Sequence, residues 1–213
     1  MLDHSVLKPE AVEAEILAGV ELVRGWAGGY YCVQPCWVPL AAKRLAGTPV
    51  GVVSVVGFPH GCDRGEVKAR AAAMAVAEGA AEIDMVMNFG LLRSGRAAEA
   101  GRDVGAVVRA VPGIPVKVIL ESAALTGEEI RLACRLCVDA GAAFVKTSTG
   151  FHPAGGATVE AVRLMREVVG PAFGVKASGG IRSLADALRM IEAGANRIGT
   201  SASAAILAGL SPA

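Results

Sequence analysis

Short β-branched apolar runs alternate along this chain with longer stretches rich in Ala, Leu, Arg and Glu. The apolar runs are Leu2–Leu7, Tyr30–Val33, Val50–Val55, Glu82–Met87, Val116–Leu120, Phe144–Thr147, Phe173–Lys176 and Asn196–Gly199. From the second onward their ends recur every ~22–33 residues, the spacing of β/α units. Between them, Glu10–Trp26 sets Val12, Ile16, Val20 and Val23 on one helical face. Gly65–Glu78, Ala97–Ala110, Glu128–Ala140, Thr158–Val169 and Leu184–Ala193 read as further helices. Thr126, with Glu129 three residues on, predicts a capped helix start, and Ser183 another. Gly79, Gly141 and Gly194 suit the left-handed position that ends a helix.

Eight strands alternating with helices predict an α/β fold: a (β/α)8 TIM barrel, one compact domain over residues 1–213. The main competitor is an open doubly wound sheet. No G-x-G-x-x-G follows the first strand, which weakens that alternative. At 53% hydrophobic and 19% charged residues the chain is not disordered. A mean hydropathy of +0.49 fits strands covered on both faces. The uncharged runs Gly25–Ala42 and Leu45–Cys62 approach the ~18 residues of a membrane span. Pro35, Pro39, Pro49, Gly51, Gly57 and Pro59 interrupt them, so no membrane partner is expected.

Lys and Arg total 21 against 20 acids, which leaves no basic surplus for nucleic acid. The opening MLDHSVLKPE has no secretion pattern, and five cysteines are no disulfide framework. A cytoplasmic chain is the expectation. Cys134 and Cys137 share one helical stretch with no second pair or histidine at zinc spacing, and read as small apolar residues.

Only six basic residues are Lys, and three of these lie inside apolar strands: Lys117, Lys146 and Lys176. Burying an ammonium costs several kcal/mol unless it is paired or neutralised. One reading is a nucleophilic amine that forms a Schiff base with a carbonyl substrate. Lowering a lysine from about 10.4 to about 7 raises its amine fraction roughly a thousandfold. A second ammonium nearby assists, and Lys146 and Lys176 end successive strands. The other reading is that both snorkel to the rim or pair with acids. Asp84 is equally odd in its strand, on one face with Glu82 and Val86. It either bridges the lysines and moves protons or forms a structural ion pair. Asp3 is a weaker case of the same kind.

The last two strands run into small polar turns, Ala177-Ser178-Gly179-Gly180-Ile181-Arg182 and Gly199-Thr200-Ser201. In barrels the loops after the seventh and eighth strands commonly bind phosphate, because glycine lets backbone N–H groups approach the anion. Arg182 faces such a phosphate or lies on the surface. His60 and His152 fall in loops that could approach the site, but no ligand set clusters for a metal. Cys32 reads as a small core residue or a modifiable thiol at the barrel mouth. Trp26 and Trp37 read as packing.

Taken together, these residues resemble the deoxyribose-phosphate aldolase family. The resemblance rests on Asp3–Pro9, Tyr31–Val33, Glu82–Asn88, Lys117–Glu121, Phe144–Phe151 and Val175–Arg182, in family order over nearly the whole chain. It implies a class I aldolase, without metal or organic cofactor, acting on 2-deoxy-D-ribose 5-phosphate and yielding acetaldehyde and D-glyceraldehyde 3-phosphate. By match, Lys146 is the Schiff-base lysine, Lys176 lowers its pKa, and Asp84 transfers protons through a water. Ser5 and Thr149 match positions near the substrate hydroxyls, and Asp3 and Cys32 are grouped with them. Gly150, Gly179, Gly180, Gly199 and Ser201 match the phosphate cradle. The family also implies a homodimer or homotetramer.

Two departures stand out. Phe151 takes a place that is basic in some members, which would weaken or redistribute the phosphate contacts. The segment Leu210–Ala213 lacks a tyrosine that assists proton transfer in some members. A Schiff-base barrel for another sugar phosphate, or a barrel that only binds phosphorylated metabolites, are the competing functions.

Overall fold

The computed structural model describes residues 2–210. Eight parallel strands close into a barrel in chain order, with β1 (Leu2–Val6) bonded to both β2 (Gly29–Val33) and β8 (Arg197–Thr200). Between them run β3 (Val50–Val56), β4 (Glu82–Val86), β5 (Val116–Ile119), β6 (Phe144–Lys146) and β7 (Gly174–Ser178). This is the TIM barrel that the strand spacing predicts, with ends displaced by one or two residues. Closure removes every sheet edge, and a ring of helices covers the outer face.

The helices are α1 (Glu13–Arg24), α2 (Val38–Leu45), α3 (Gly65–Ala77), α4 (Phe89–Arg93), α5 (Ala97–Ala110), α6 (Gly127–Asp139), α7 (Val159–Val169), α8 (Leu184–Glu192) and α9 (Ser203–Ala208). Thr126 and Glu129 form the predicted capping box, and Ser183 forms another with Asp186. Gly79, Gly141 and Gly194 take positive φ after their helices. α1 starts at Glu13 rather than Glu10, its side chain-to-backbone cap coming from Glu15 to the Val12 N–H at 2.9 Å.

Sequence periodicity misses α2, α4 and α9. In α2 the reason is specific: Pro35 opens a 3-10 turn and Pro39 sits in the first turn of the helix, where no N–H partner is needed. The prolines that interrupt an apolar run there begin a helix. The expectation about a C-terminal tyrosine falls on residues 211–213, outside the described residues.

The core fills the space between strands and helices, where Val33, Ile83, Met85, Val118 and Val145 are fully buried. The opposite face of each strand points into the barrel, and several of those residues are charged. No helix of the described residues is long and apolar enough to cross a membrane.

Candidate active site

Alternation along a strand sends every second side chain inward. In this barrel it sends Asp3, Glu82, Asp84, Lys117, Lys146, Lys176 and Arg197 into one buried network. At the floor, the Arg197 guanidinium lies 4.4 Å from the Tyr30 ring centre and 5.3 Å from that of Phe144. Arg197 reaches Asp3 at 2.9 Å and Glu82 at 3.3 Å. One layer higher, Lys117 bonds both Glu82 and the Oδ1 of Asp84, the latter at 2.8 Å.

The Oδ2 of Asp84 is the hub. It accepts from Lys146 Nζ at 2.7 Å and from Lys176 Nζ at 2.8 Å. Strand register puts the two lysines side by side, Lys146 opposite Lys176. Lys176 also donates to Asp3. Three carboxylates thus face four cations. If one cation yields its proton, the buried charges balance.

The geometry sets the two lysines apart. Burial opposes charge on Lys176, but Asp3 and Asp84 outweigh it and hold the ammonium protonated, above the ordinary lysine range. Lys146 has only a share of Asp84. Burial and the Lys176 ammonium push it below the ordinary range. Asp84 itself is fully buried; burial works against its charge, yet Lys117, Lys146 and Lys176 keep it a carboxylate well below the usual range. Desolvation also works against Asp3, and Lys176, Lys117 and Arg197 reverse it.

Above the lysines opens a cavity of about 490 Å³ at the C-terminal ends of the strands. Lys146, Lys176, Asp3, Ser5, Cys32, Thr149, Gly150, Gly179, Gly180, Gly199 and Ser201 all border it. Asp84 lies beneath the lysines and reaches the cavity only through them. Both oxygens of Asp3 are occupied, by Lys176 and Arg197. Cys32 is a wall residue; burial, with Asp84 nearby, pushes its thiol up to about 11. That shift favours the thiol over the thiolate at neutral pH, with the side chain still bordering the cavity.

Gly179 has φ +88, and a Cβ there would come within 3.1 Å of the Gly156 Cα. Only glycine lets these loops meet at the cavity rim. Gly199 has a second role: a Cβ there would sit 2.9 Å from Lys176 Cε. Arg182 is exposed and borders the same cavity. Phe151 borders the same cavity and packs edge-on against Phe58, with ring centres 5.3 Å apart. It helps line an adjoining cavity of about 610 Å³, which also holds His60 and His152. His4 points outward from the ions, stacked on Tyr31 at 5.7 Å and hydrogen-bonded to Ser203 Oγ at 2.7 Å. Burial pulls its imidazole down to about 4.

Sequence reasoning left Lys117 without a partner and gave no role to Glu82, Arg197 or Glu121. Each carried the same signal as Asp84: a charge in or beside an apolar strand. Among the described residues no three His, Cys, Asp or Glu side chains are grouped to hold a metal ion.

The DeoC/LacD family aldolase model matches residues 10–210. The chain is 51% identical over 211 residues to deoxyribose-phosphate aldolase 1 of Bacillus licheniformis, covering 99% of this chain and 94% of that one. The chain belongs to the DeoC/LacD aldolase family. Among solved structures, the aldolase QR15 superposes with a TM-score of 0.89 at 41% identity, covering 96% of this chain and 91% of that one. The deoxyribose phosphate aldolase of Aeropyrum pernix, whose structure is described as a unique tetramer, gives 0.86 at 32% identity over 97% of this chain and 88% of that one. The ion network of this DeoC/LacD aldolase runs from the barrel floor at Arg197 and Glu82 up to Lys146 and Lys176, which border the cavity at the strand C-termini.

Proposed function

We propose that this chain is a class I aldolase that cleaves 2-deoxy-D-ribose 5-phosphate reversibly to acetaldehyde and D-glyceraldehyde 3-phosphate, through a Schiff base on Lys146. One observation carries the reading: Lys146 shares the Oδ2 of Asp84 with Lys176, which two carboxylates keep charged. The names of the relatives, at about half identity over nearly their full length, support the substrate.

In this reading the Lys146 amine adds to the C1 aldehyde, and loss of water leaves an iminium. The C3 hydroxyl gives up its proton to a base, with Asp84 and Lys176 passing it on through water. The C2–C3 bond breaks, and its electron pair flows into the iminium to give an enamine. D-Glyceraldehyde 3-phosphate departs. Protonation of the enamine at C2 and addition of water release acetaldehyde and restore the amine. These steps use side chains and water alone, with no metal or organic cofactor. Asp3 keeps Lys176 charged, while Ser5 and Thr149 meet substrate hydroxyls and Cys32 shapes the wall. Gly150, Gly179, Gly180, Gly199 and Ser201 cradle the phosphate. Arg182 supplies charge at the rim that Phe151 does not.

We further propose that residues 1–213 form one catalytic domain that works in the cytoplasm as a homodimer or homotetramer. The tetrameric Aeropyrum pernix relative supports a homo-oligomer. The test of the reaction is turnover of 2-deoxyribose 5-phosphate, followed by enzymatic reduction of the acetaldehyde released. Turnover is expected with this substrate and not with longer keto-sugar phosphates. The reverse preference would make the barrel an aldolase of another sugar.

A further inference from the structure

Glu121 is buried, lies two residues past the end of β5, and takes no part in the lysine network. Its backbone is left-handed, with φ 58 and ψ 54, the one non-glycine residue with positive φ among the described residues. Such a conformation is strained for a side chain of this kind and persists only where its surroundings impose it. Here they do. Leu120 N–H donates to the Lys146 carbonyl and Ser122 N–H to the Thr147 carbonyl, both at 2.9 Å. Between these two anchors the twist of Glu121 aims its carboxylate across to Thr149.

Among the described residues, every hydrogen bond to that carboxylate comes from Thr149. The Thr149 hydroxyl donates to Oε2 at 2.6 Å, and the Thr149 N–H reaches Oε1 at 3.2 Å. The Thr149 hydroxyl oxygen in turn accepts from the Phe151 N–H at 3.0 Å. A threonine hydroxyl has one proton and two lone pairs. Glu121 takes the proton and Phe151 fills one lone pair. The one remaining lone pair belongs to a residue that borders the reaction cavity.

We infer that Glu121 is a positioning residue that fixes the Thr149 hydroxyl as a pure hydrogen-bond acceptor, so that the site selects an aldehyde phosphate carrying a hydroxyl able to donate to it. The inference rests on the reading of this cavity as the aldolase site. By accepting from the hydroxyl, the Glu121 carboxylate holds the Thr149 proton away from the cavity. An amide in its place can donate to Thr149 Oγ1 and release that proton toward the substrate. A substrate hydroxyl would then lose its dedicated acceptor.

The experiment runs the aldol direction with acetaldehyde and two acceptors. One is D-glyceraldehyde 3-phosphate; the other is 3-oxopropyl phosphate, which lacks only the hydroxyl. The wild-type protein is expected to prefer the hydroxylated acceptor in kcat/KM by tenfold or more. Glu121→Gln is expected to lose most of that preference, chiefly through KM for the hydroxylated acceptor. Glu121→Asn suits the left-handed backbone and is too short to reach Thr149, so it provides a second route to the same loss if the Gln variant folds poorly. In a Thr149→Val background neither change is expected to alter the preference further. An unchanged preference in both Glu121 variants would overturn the inference. So would an equal loss for both acceptors, or an effect that persists in the Thr149→Val background. Borohydride trapping of acetaldehyde on the wild-type protein keeps the two readings apart: an adduct on Lys146 upholds the aldolase site whichever way the acceptor preference falls.

Discussion

Lys146 and Lys176 aim their terminal nitrogens at the same oxygen of Asp84, at 2.7 and 2.8 Å. The two are not equivalent. Lys176 has Asp3 as a second carboxylate, and Lys146 has none. In a low-dielectric interior that difference holds the Lys176 ammonium more firmly and lowers the Lys146 pKa. In the proposed mechanism a nucleophile and the charge that activates it thus arise from two neighbouring strands and one shared acid.

Removing the second ammonium should undo this arrangement. In Lys176→Leu the Asp84 carboxylate falls to Lys146 and Lys117, and the nearest repelling charge is gone. The Lys146 pKa then rises, and the rate limb that needs its free amine moves to higher pH. At pH 7 kcat/KM should fall by about a hundredfold or more, a shift of about two pKa units or more. A full pH–rate profile measures it. Turnover and profile both near wild type would contradict the activating role of Lys176.

Asp84→Asn removes the acid shared by three lysines. Breaking a buried ion pair from one side costs about 3–5 kcal/mol, and the proton path loses its carboxylate. Denaturant unfolding should show the loss of stability, and single-turnover cleavage a drop of about a hundredfold or more. Undiminished turnover would show that the carboxylate is structural only.

A smaller change tests the packing of the same lysine. The Cβ of Gly199→Ala would fall 2.9 Å from Lys176 Cε and 3.2 Å from Ser178 Cβ. Lys176 must move, weakening its hold on Asp84. An activity loss of about tenfold is expected, with the pH–rate profile shifted in the same direction as in Lys176→Leu. Wild-type kinetics would mean that Lys176 has room to spare.

His4 governs part of the acid stability. Its folded pKa lies at about 4, against about 6.5 unfolded. Above pH 6.5 both states are neutral and the histidine contributes nothing to the pH dependence. As pH falls towards 4 the unfolded state takes a proton that the folded state refuses, and stability drains by up to about 3 kcal/mol. His4→Phe keeps a ring on Tyr31 and removes the proton. Urea unfolding at several pH values should show a flatter stability curve between pH 6.5 and 4 than in the wild type. Parallel curves would mean that the folded protein protonates His4 freely.

Much of the barrel was legible because its strands are buried on both faces and read as continuous apolar runs at regular spacing. The helices with polar outer faces and strong caps, such as α6 and α8, were legible for the same kind of reason. α2 was not, since prolines that sit at a helix start look like breakers until the backbone is placed. In the site, Lys146, Lys176 and Asp84 stood out because charge inside an apolar strand needs an explanation. The pairing of Lys117 with both Glu82 and Asp84 needs the register of adjacent strands, which sequence spacing does not fix. The room that Gly199 leaves for Lys176 and the link from Glu121 to Thr149 are likewise products of three-dimensional packing. Each joins residues more than twenty positions apart.

The central claim is that Lys146 carries the covalent chemistry. The direct test is borohydride reduction in the presence of acetaldehyde, followed by peptide mass mapping. The account predicts an ethyl group on Lys146 and none on Lys176 or Lys117. A folded sample with no adduct, or with the adduct on Lys176, would contradict it.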